Sequence, residues 1–79
     1  MDPRIADEVR MRFGRLMKID PQGVDLHARL DDVYRVSSFN HLRLINELEV
    51  ALGIDIPEAE GKRAWTLAEL IELCERSAA

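Results

Sequence analysis

The sequence predicts a small all-α bundle of three main helices and one short helix, with a long loop after the first helix. Apolar residues recur at helical spacing in three separate stretches, and each of these stretches begins at a residue that commonly starts helices. Proline or glycine residues separate the stretches. A chain of 79 residues is long enough for one core, so we expect a single domain over residues 1–79.

The first helix is expected to begin at Asp2 and Pro3, which are common at the N-cap and at the first helical position. We expect it to end at residues 20–23, because Pro21 disfavours helix at the residue before it. Gly14 should cost this helix about 1 kcal/mol relative to alanine. The apolar residues that would face the core are Ile5, Val9, Phe13 and Leu16 or Met17.

Residues 20–37 form a long connection, and such a loop in a compact domain is usually functional or held by buried side chains. The side chains expected to hold it are Val24, Leu26, Leu30 and Tyr34. His27, Asp25 and His41 lack the spacing of metal ligands, so we expect no metal site and interpret His27 as a surface or partly buried residue.

The second main helix is expected to start near Ser38 and to end at Gly53, since glycine accepts the left-handed conformation found at helix C-termini. Serine is a common N-cap residue, so capping is the ordinary interpretation of Ser38. Neither Ser37 nor Ser38 has Glu or Gln three residues later, so the full capping box is missing. The stripe expected to be buried consists of Leu44, Ile45, Leu48, Ala51 and Leu52.

The last third of the chain predicts a short helical turn and a final helix. Pro57 would start the turn and Gly61 would end it. Thr66 and Glu69 form a capping box that opens the final helix. Cys74 is expected to be a small buried residue rather than a nucleophile. The buried stripe would be Leu67, Leu70, Ile71 and Cys74.

Composition and charge exclude several classes of function. The formal net charge of −4 argues against nucleic-acid binding, which needs a basic surface. No apolar run approaches the roughly 20 residues that cross a bilayer, and the N-terminus does not resemble a signal peptide, so we expect a cytoplasmic protein without membrane insertion.

A single cysteine excludes an internal disulfide and a multi-cysteine metal site. No base, nucleophile and orienting group assemble, so no enzyme is expected.

The second helix and its flanks resemble the phosphopantetheine-attachment region of acyl and peptidyl carrier proteins. That region has a Ser-Leu pair, an amphipathic helix and then Gly-Ile-x-Ile-Pro. Here Ser38 and Phe39 stand at the Ser-Leu position, and residues 53–57 read Gly-Ile-Asp-Ile-Pro at the matching distance. The resemblance continues into residues 65–71, where such proteins start their last helix, and with the first helix it covers nearly the whole chain.

Two positions depart from the usual pattern of these carriers. Ser37 stands where aspartate is usual before the modified serine, and Arg35 stands where glycine is usual. Both departures affect which transferase and which enzymes would recognise the loop. Neither removes the Ser38 hydroxyl.

The resemblance implies an acyl-carrier-type bundle with 4′-phosphopantetheine attached covalently to Ser38, and Ser37 as the less favoured attachment point. A helix N-terminus suits this group, because free backbone N–H groups and the helix dipole favour the negative charge of a phosphodiester. The implied partners are a phosphopantetheinyl transferase and acyl-loading and acyl-transferring enzymes, and the carrier would shelter an acyl chain between its helices. A monomer is the simplest expectation. The residues expected to dock these partners are Phe39, Leu42, Arg43, Asn46, Glu47 and Glu49.

Arg43 and Asn46 differ from the acidic and apolar residues usual near these places in carriers of general fatty-acid synthesis. We therefore expect a specialised fatty-acid, lipid or polyketide pathway. Two alternatives remain open at this point. One is a peptidyl or aminoacyl carrier of a nonribosomal-peptide-type system, which Ser37 and Phe39 would suit. The other is a helical protein–protein interaction module in which Ser38 only caps its helix.

Overall fold

A computed structural model describes all residues, 1–79, and consists of four α-helices without strands. The helices are α1 (Pro3–Met17), α2 (Ser38–Leu52), α3 (Glu58–Arg63) and α4 (Leu67–Ala78), and a 3₁₀ turn covers Pro21–Gly23. The long helix α1 packs against both α2 and α4, and the short helix α3 packs against α4. The prediction of three main helices, one short helix and a long first loop is therefore confirmed. None of the four helices combines the length and the apolar character needed to cross a membrane.

Helix α1 starts as predicted, with the Asp2 carboxylate accepting a hydrogen bond from the Arg4 amide at 2.9 Å. The sequence analysis placed the end of α1 at residues 20–23, which is too far along the chain. The chain leaves the helix at Lys18, which adopts a left-handed conformation with φ of 58°, and Pro21 then begins the 3₁₀ turn. This reversal brings the carbonyl oxygen of Ile19 to 2.9 Å from the position that a Cβ atom would occupy at Gly14. Gly14 therefore allows the returning chain to lie against α1.

The long first loop is held by buried side chains, as predicted. Val24 and Leu30 are buried, and Leu26 and Tyr34 pack partly buried against the core. The Tyr34 ring meets Phe13 of α1 edge to face at 5.2 Å. Backbone hydrogen bonds also tie the loop to the start of α4, since the Leu30 amide donates to the carbonyl of Trp65 at 2.7 Å.

The buried stripe of α2 is shorter than predicted. Leu44, Ile45 and Leu48 are buried, and Leu52 is partly buried against the core. Ala51 is exposed, so its assignment to the stripe was wrong. Of the last three residues of α2, only Leu52 is partly buried. Gly53 ends the helix in a left-handed conformation, as predicted.

Helix α3 is longer than the predicted turn, and Gly61 lies inside it rather than at its end. A Cβ atom at Gly61 would lie 3.3 Å from methyl groups of both Ile45 and Ile56. Gly61 thus allows α3 to approach α2 closely. Pro57 is the N-cap residue of α3, without a side-chain hydrogen bond.

Helix α4 begins as predicted and buries the predicted stripe, and Leu73 is buried in addition. The Thr66 hydroxyl accepts a hydrogen bond from the Glu69 amide at 3.1 Å and donates one to the Glu69 carboxylate at 3.0 Å. Cys74 is fully buried, and so are the three apolar residues predicted with it: Leu67, Leu70 and Ile71.

Candidate functional site

Two adjacent serines stand at the head of α2, and only Ser37 caps the helix. The Ser37 backbone is extended, and its hydroxyl accepts a hydrogen bond from the Asn40 amide at 3.1 Å. Its carbonyl accepts the first bond of the helical series from the His41 amide at 2.9 Å. The interpretation of Ser38 as the helix cap is therefore wrong.

Ser38 is the first helical residue and is exposed to solvent. Its hydroxyl makes no hydrogen bond with the rest of the chain, because the capping position is already filled by Ser37. The first amides of a helix have no acceptor within it, and the positive end of the helix dipole lies at the same place. Ser38 thus presents a free hydroxyl where negative charge is stabilised.

The loop before the two serines fixes their position. Val36 is buried, and its amide donates to the carbonyl of Leu30 at 2.9 Å. Arg35 has a left-handed backbone with φ of 58°. This conformation favours glycine, which is the residue usual at this place in the carriers that the sequence resembles. The backbone of the loop before α2 is thus compatible with that pattern, although the side chain at position 35 differs.

A mostly apolar depression of about 350 Å³ opens beside Ser38, between α2, α3 and the residues that precede α4. Lys62 on α3 is its only charged lining residue. The Lys62 ammonium also pairs with the Glu58 carboxylate at 3.0 Å, in an exposed ion pair. The residues around the depression are Ser38, His41, Leu42, Ile45, Lys62 and Trp65.

His41 and Lys62 are residues of this site to which the sequence analysis gave no role, and His41 is the buried one of the two. It is only 3% exposed, its ring stacks on Trp65 at 3.9 Å between centroids, and its Nε2 lies 2.7 Å from the carbonyl oxygen of Ala64. The Nε2–H tautomer donates this hydrogen bond. The signal was present in the sequence, because His41 precedes Leu44 and Leu48 at helical spacing and so continues the buried stripe.

A second depression, of about 420 Å³, lies on the outer face of α2 and brings together five of the six predicted docking residues. We call it the outer-face depression. Its apolar side chains are well exposed, with Phe39 at 73%, Leu42 at 51% and Val50 at 85%. Val50 was missed by the sequence analysis, although it follows Leu42 and Asn46 at helical spacing. The lining residues are Arg12, Phe39, Leu42, Arg43, Asn46, Glu47 and Val50.

The charged residues of the outer-face depression are paired within the chain. Arg43 lies 3.4 Å from the Glu47 carboxylate one turn later in α2. Arg12 lies 2.7 Å from the Glu8 carboxylate in α1. The outer-face depression therefore combines exposed apolar side chains with charged side chains that form ion pairs within the chain.

Glu49 is the sixth predicted docking residue, and the structure places it away from the outer-face depression. Its carboxylate accepts a hydrogen bond from the Ile56 amide at 2.9 Å. The side chain is partly buried, and this contact holds the segment between α2 and α3. The other five residues, by contrast, share one surface.

The family to which the chain belongs follows from a match over most of its length. Residues 7–74 match the model of a family described as "Phosphopantetheine attachment site". The chain belongs to this family. No curated protein matches the chain in sequence. Domains of the family bear covalently attached 4′-phosphopantetheine and are not catalytic, so the protein is a phosphopantetheine-dependent carrier and not an enzyme.

The residues at the head of α2 fit the phosphopantetheine group of this carrier family. Ser38 supplies a free and exposed hydroxyl, the first turn of α2 supplies unpaired amides, and Lys62 supplies a cation beside the same depression. The apolar lining suits the methyl and methylene groups of the arm. When attached, the arm supplies a thiol on which acyl groups are held as thioesters. No cluster of His, Cys, Asp and Glu that could hold a metal ion is present.

Proposed function

We propose that Ser38 carries the 4′-phosphopantetheine arm and that the protein acts as an acyl carrier in a specialised fatty-acid, lipid or polyketide pathway. One observation carries the assignment to Ser38: its hydroxyl is exposed and free, whereas the neighbouring Ser37 hydroxyl caps the helix. A phosphodiester on Ser38 would lie near the unpaired amides of α2. The same group on Ser37 would break the cap.

The outer-face depression is the proposed docking site for the phosphopantetheinyl transferase and for the acyl-loading and acyl-transferring enzymes. Phe39 and Leu42 lie within the first two turns after Ser38 and expose much of their apolar surface. A few well-packed side chains near the centre of an interface usually carry most of its binding energy. Asn46 and the paired Arg43 and Glu47 would form the surrounding polar contacts. Glu49 would act indirectly, by holding the segment that follows α2.

The charge pattern of this surface supports dedicated partners. Arg43 is neutralised by Glu47, and Arg12 by Glu8, so the surface next to Ser38 offers no unpaired row of carboxylates. A partner that recognises a carrier through many acidic contacts would find few of them here. We further propose that residues 1–79 act as one carrier domain, as a monomer in the cytoplasm.

The attachment is tested by intact mass after incubation with coenzyme A and a broad-specificity phosphopantetheinyl transferase. The wild type and Ser37→Ala should each gain one phosphopantetheine, whereas Ser38→Ala should gain none. Retention of the modification in Ser38→Ala and its loss in Ser37→Ala would move the attachment point to Ser37. Circular dichroism of each variant shows that a missing modification does not come from unfolding.

The specialised pathway is tested by replacing the general carrier of a reconstituted fatty-acid synthase with the loaded protein. We expect little or no product, because Arg43 and Asn46 do not present the acidic and apolar contacts that general enzymes use. Synthesis at the full rate would contradict the proposal. Efficient loading by an adenylating enzyme with an amino acid would favour the peptidyl-carrier alternative instead.

A further inference from the structure

The depression beside Ser38 is lined on one side by an aromatic pair, His41 and Trp65, which we call the wall. Their rings are stacked at 3.9 Å with an interplanar angle of 10°. The aliphatic residues of the same depression are Leu42 and Ile45, of which Ile45 is only 7% exposed. The core side chains of α2 and α4 are fully buried: Leu44, Leu48, Leu70 and Ile71.

The stacked pair is anchored from both sides. His41 belongs to α2, and its Nε2 donates a 2.7 Å hydrogen bond to the carbonyl of Ala64, which lies between α3 and α4. The Trp65 carbonyl accepts a 2.7 Å hydrogen bond from the amide of the buried Leu30 in the long first loop. Separating α2 from α3 and α4 would leave the buried Ala64 carbonyl without its donor. The pair therefore joins the elements that would have to part before a chain attached near Ser38 entered the core.

We infer that His41 and Trp65 determine the class of cargo, so that this carrier holds short acyl or aminoacyl groups on its surface and does not draw a long alkyl chain into the bundle. This inference rests on the proposed attachment at Ser38. The apolar depression contacts the arm and the first atoms of the cargo, and the rest of the cargo stays accessible to partner enzymes and to solvent. The sheltering of a long acyl chain between the helices, which the family resemblance implies, does not take place in this chain.

The test compares the rates at which hydroxylamine cleaves thioesters of different length. A broad-specificity phosphopantetheinyl transferase loads the chain from butanoyl-coenzyme A or from tetradecanoyl-coenzyme A, and intact mass first confirms loading. In the wild type, the two thioesters should be cleaved at rates within about twofold of each other, because neither cargo is withdrawn from water. In His41→Ala, the tetradecanoyl thioester should be cleaved about fivefold more slowly than the butanoyl thioester, because the wall is removed.

Trp65→Leu provides a second way to remove the wall and should give the same selective protection. His27→Ala, which changes an exposed histidine, is the control and should behave as the wild type. Selective protection of the tetradecanoyl thioester in the wild type would overturn the inference, as would equal rates in the folded His41→Ala and Trp65→Leu variants. A failure at the loading step would instead contradict the proposed function, and with it the basis of the inference. The two failures are distinguished because loading is measured before cleavage starts.

Discussion

The Asn40 amide donates a 3.1 Å hydrogen bond to the Ser37 hydroxyl, and this contact gives two adjacent serines different roles. Ser37 stabilises α2, and the Ser38 hydroxyl is left without a hydrogen-bond partner in the chain. The replacement of the usual aspartate by Ser37 keeps the function of that position, because serine and aspartate are comparable N-cap residues.

Ser37→Ala should lower the free energy of unfolding by about 1 kcal/mol, because an N-cap hydrogen bond is lost. Ser38→Ala should leave it within about 0.5 kcal/mol of the wild type, since an exposed hydroxyl without a partner is removed. Urea denaturation followed by circular dichroism measures both values. Ser37→Asp, which keeps a capping side chain, is the matched control. Equal losses in the two alanine variants would contradict the division of roles.

Arg35→Gly should stabilise the protein by about 0.5 kcal/mol. The left-handed backbone at Arg35, with φ of 58°, is unfavourable for a residue with a Cβ atom. Glycine removes that penalty, although it also increases the entropy of the unfolded chain. Arg35→Ala removes the same long side chain but keeps the penalty, so it should be the less stable of the two variants in urea denaturation. The reverse order would show that the arginine side chain itself stabilises the loop.

Gly14→Ala should destabilise the protein by about 1–3 kcal/mol, although alanine is the better helix former. The added Cβ atom would lie 2.9 Å from the carbonyl oxygen of Ile19, so the backbone after α1 would have to move. Gly23→Ala is the control, because no atom lies within 4 Å of its added Cβ. Thermal unfolding should show a clear loss for Gly14→Ala and little change for Gly23→Ala. A stabilised Gly14→Ala would contradict this account of the chain reversal.

The free energy of unfolding should decrease at high pH because the buried Cys74 thiol resists losing its proton. Burial raises the pKa of the Cys74 thiol to about 11, and the negative charge of Glu75 adds to the effect. In the unfolded chain a thiol loses its proton near pH 8.5, about the ordinary pKa of cysteine. The protonated Cys74 thiol therefore makes its full contribution to the free energy of unfolding below about pH 8.5. This contribution is lost as pH rises through about 11.

The contribution of Cys74 is isolated by comparing the wild type with Cys74→Ala. The difference in free energy of unfolding between the two proteins should shrink by an amount on the order of 2 kcal/mol between pH 8 and pH 11. Urea denaturation at several pH values measures it, and the comparison removes contributions from other groups that titrate in this range. A difference that does not change with pH would contradict the assigned pKa.

Phe39→Ala should weaken binding to a phosphopantetheinyl transferase about tenfold while leaving stability unchanged. The Phe39 side chain is 73% exposed and so contributes little to folding. It lines the outer-face depression, and Phe39 directly follows Ser38 in the chain. Val33→Ala is the control, because Val33 is 57% exposed and lies outside this depression. Surface plasmon resonance gives the two dissociation constants. Equal constants for the two variants would place the docking site elsewhere.

Helix starts and the main buried stripes could be predicted from the sequence, because they depend on local chemistry. Asp2 and Thr66 cap their helices as expected, and Leu44 and Leu48 are buried as expected. The early end of α1 could not be predicted, because Lys18 adopts a left-handed conformation that its own residue type does not favour. Contacts with the rest of the chain decide such a conformation.

The candidate site was predicted only in part for the same reason. The helical positions of Phe39 and Leu42 indicated an outward face, and the structure places both in the outer-face depression. The sequence indicated that His41 continues the buried stripe of α2, but it did not indicate which residues His41 contacts. Trp65 and Ala64 lie more than a helix away in sequence, so only the tertiary fold reveals the stack and the hydrogen bond.

The central claim, that Ser38 carries the arm, is tested most directly by peptide mapping of the loaded protein. Arg35 and Arg43 bracket the two serines, so trypsin releases both on one peptide, and fragmentation between Ser37 and Ser38 locates the added phosphopantetheine. We expect the entire added mass on the fragment that contains Ser38. The same mass on Ser37, with Ser38 unmodified, would contradict the account.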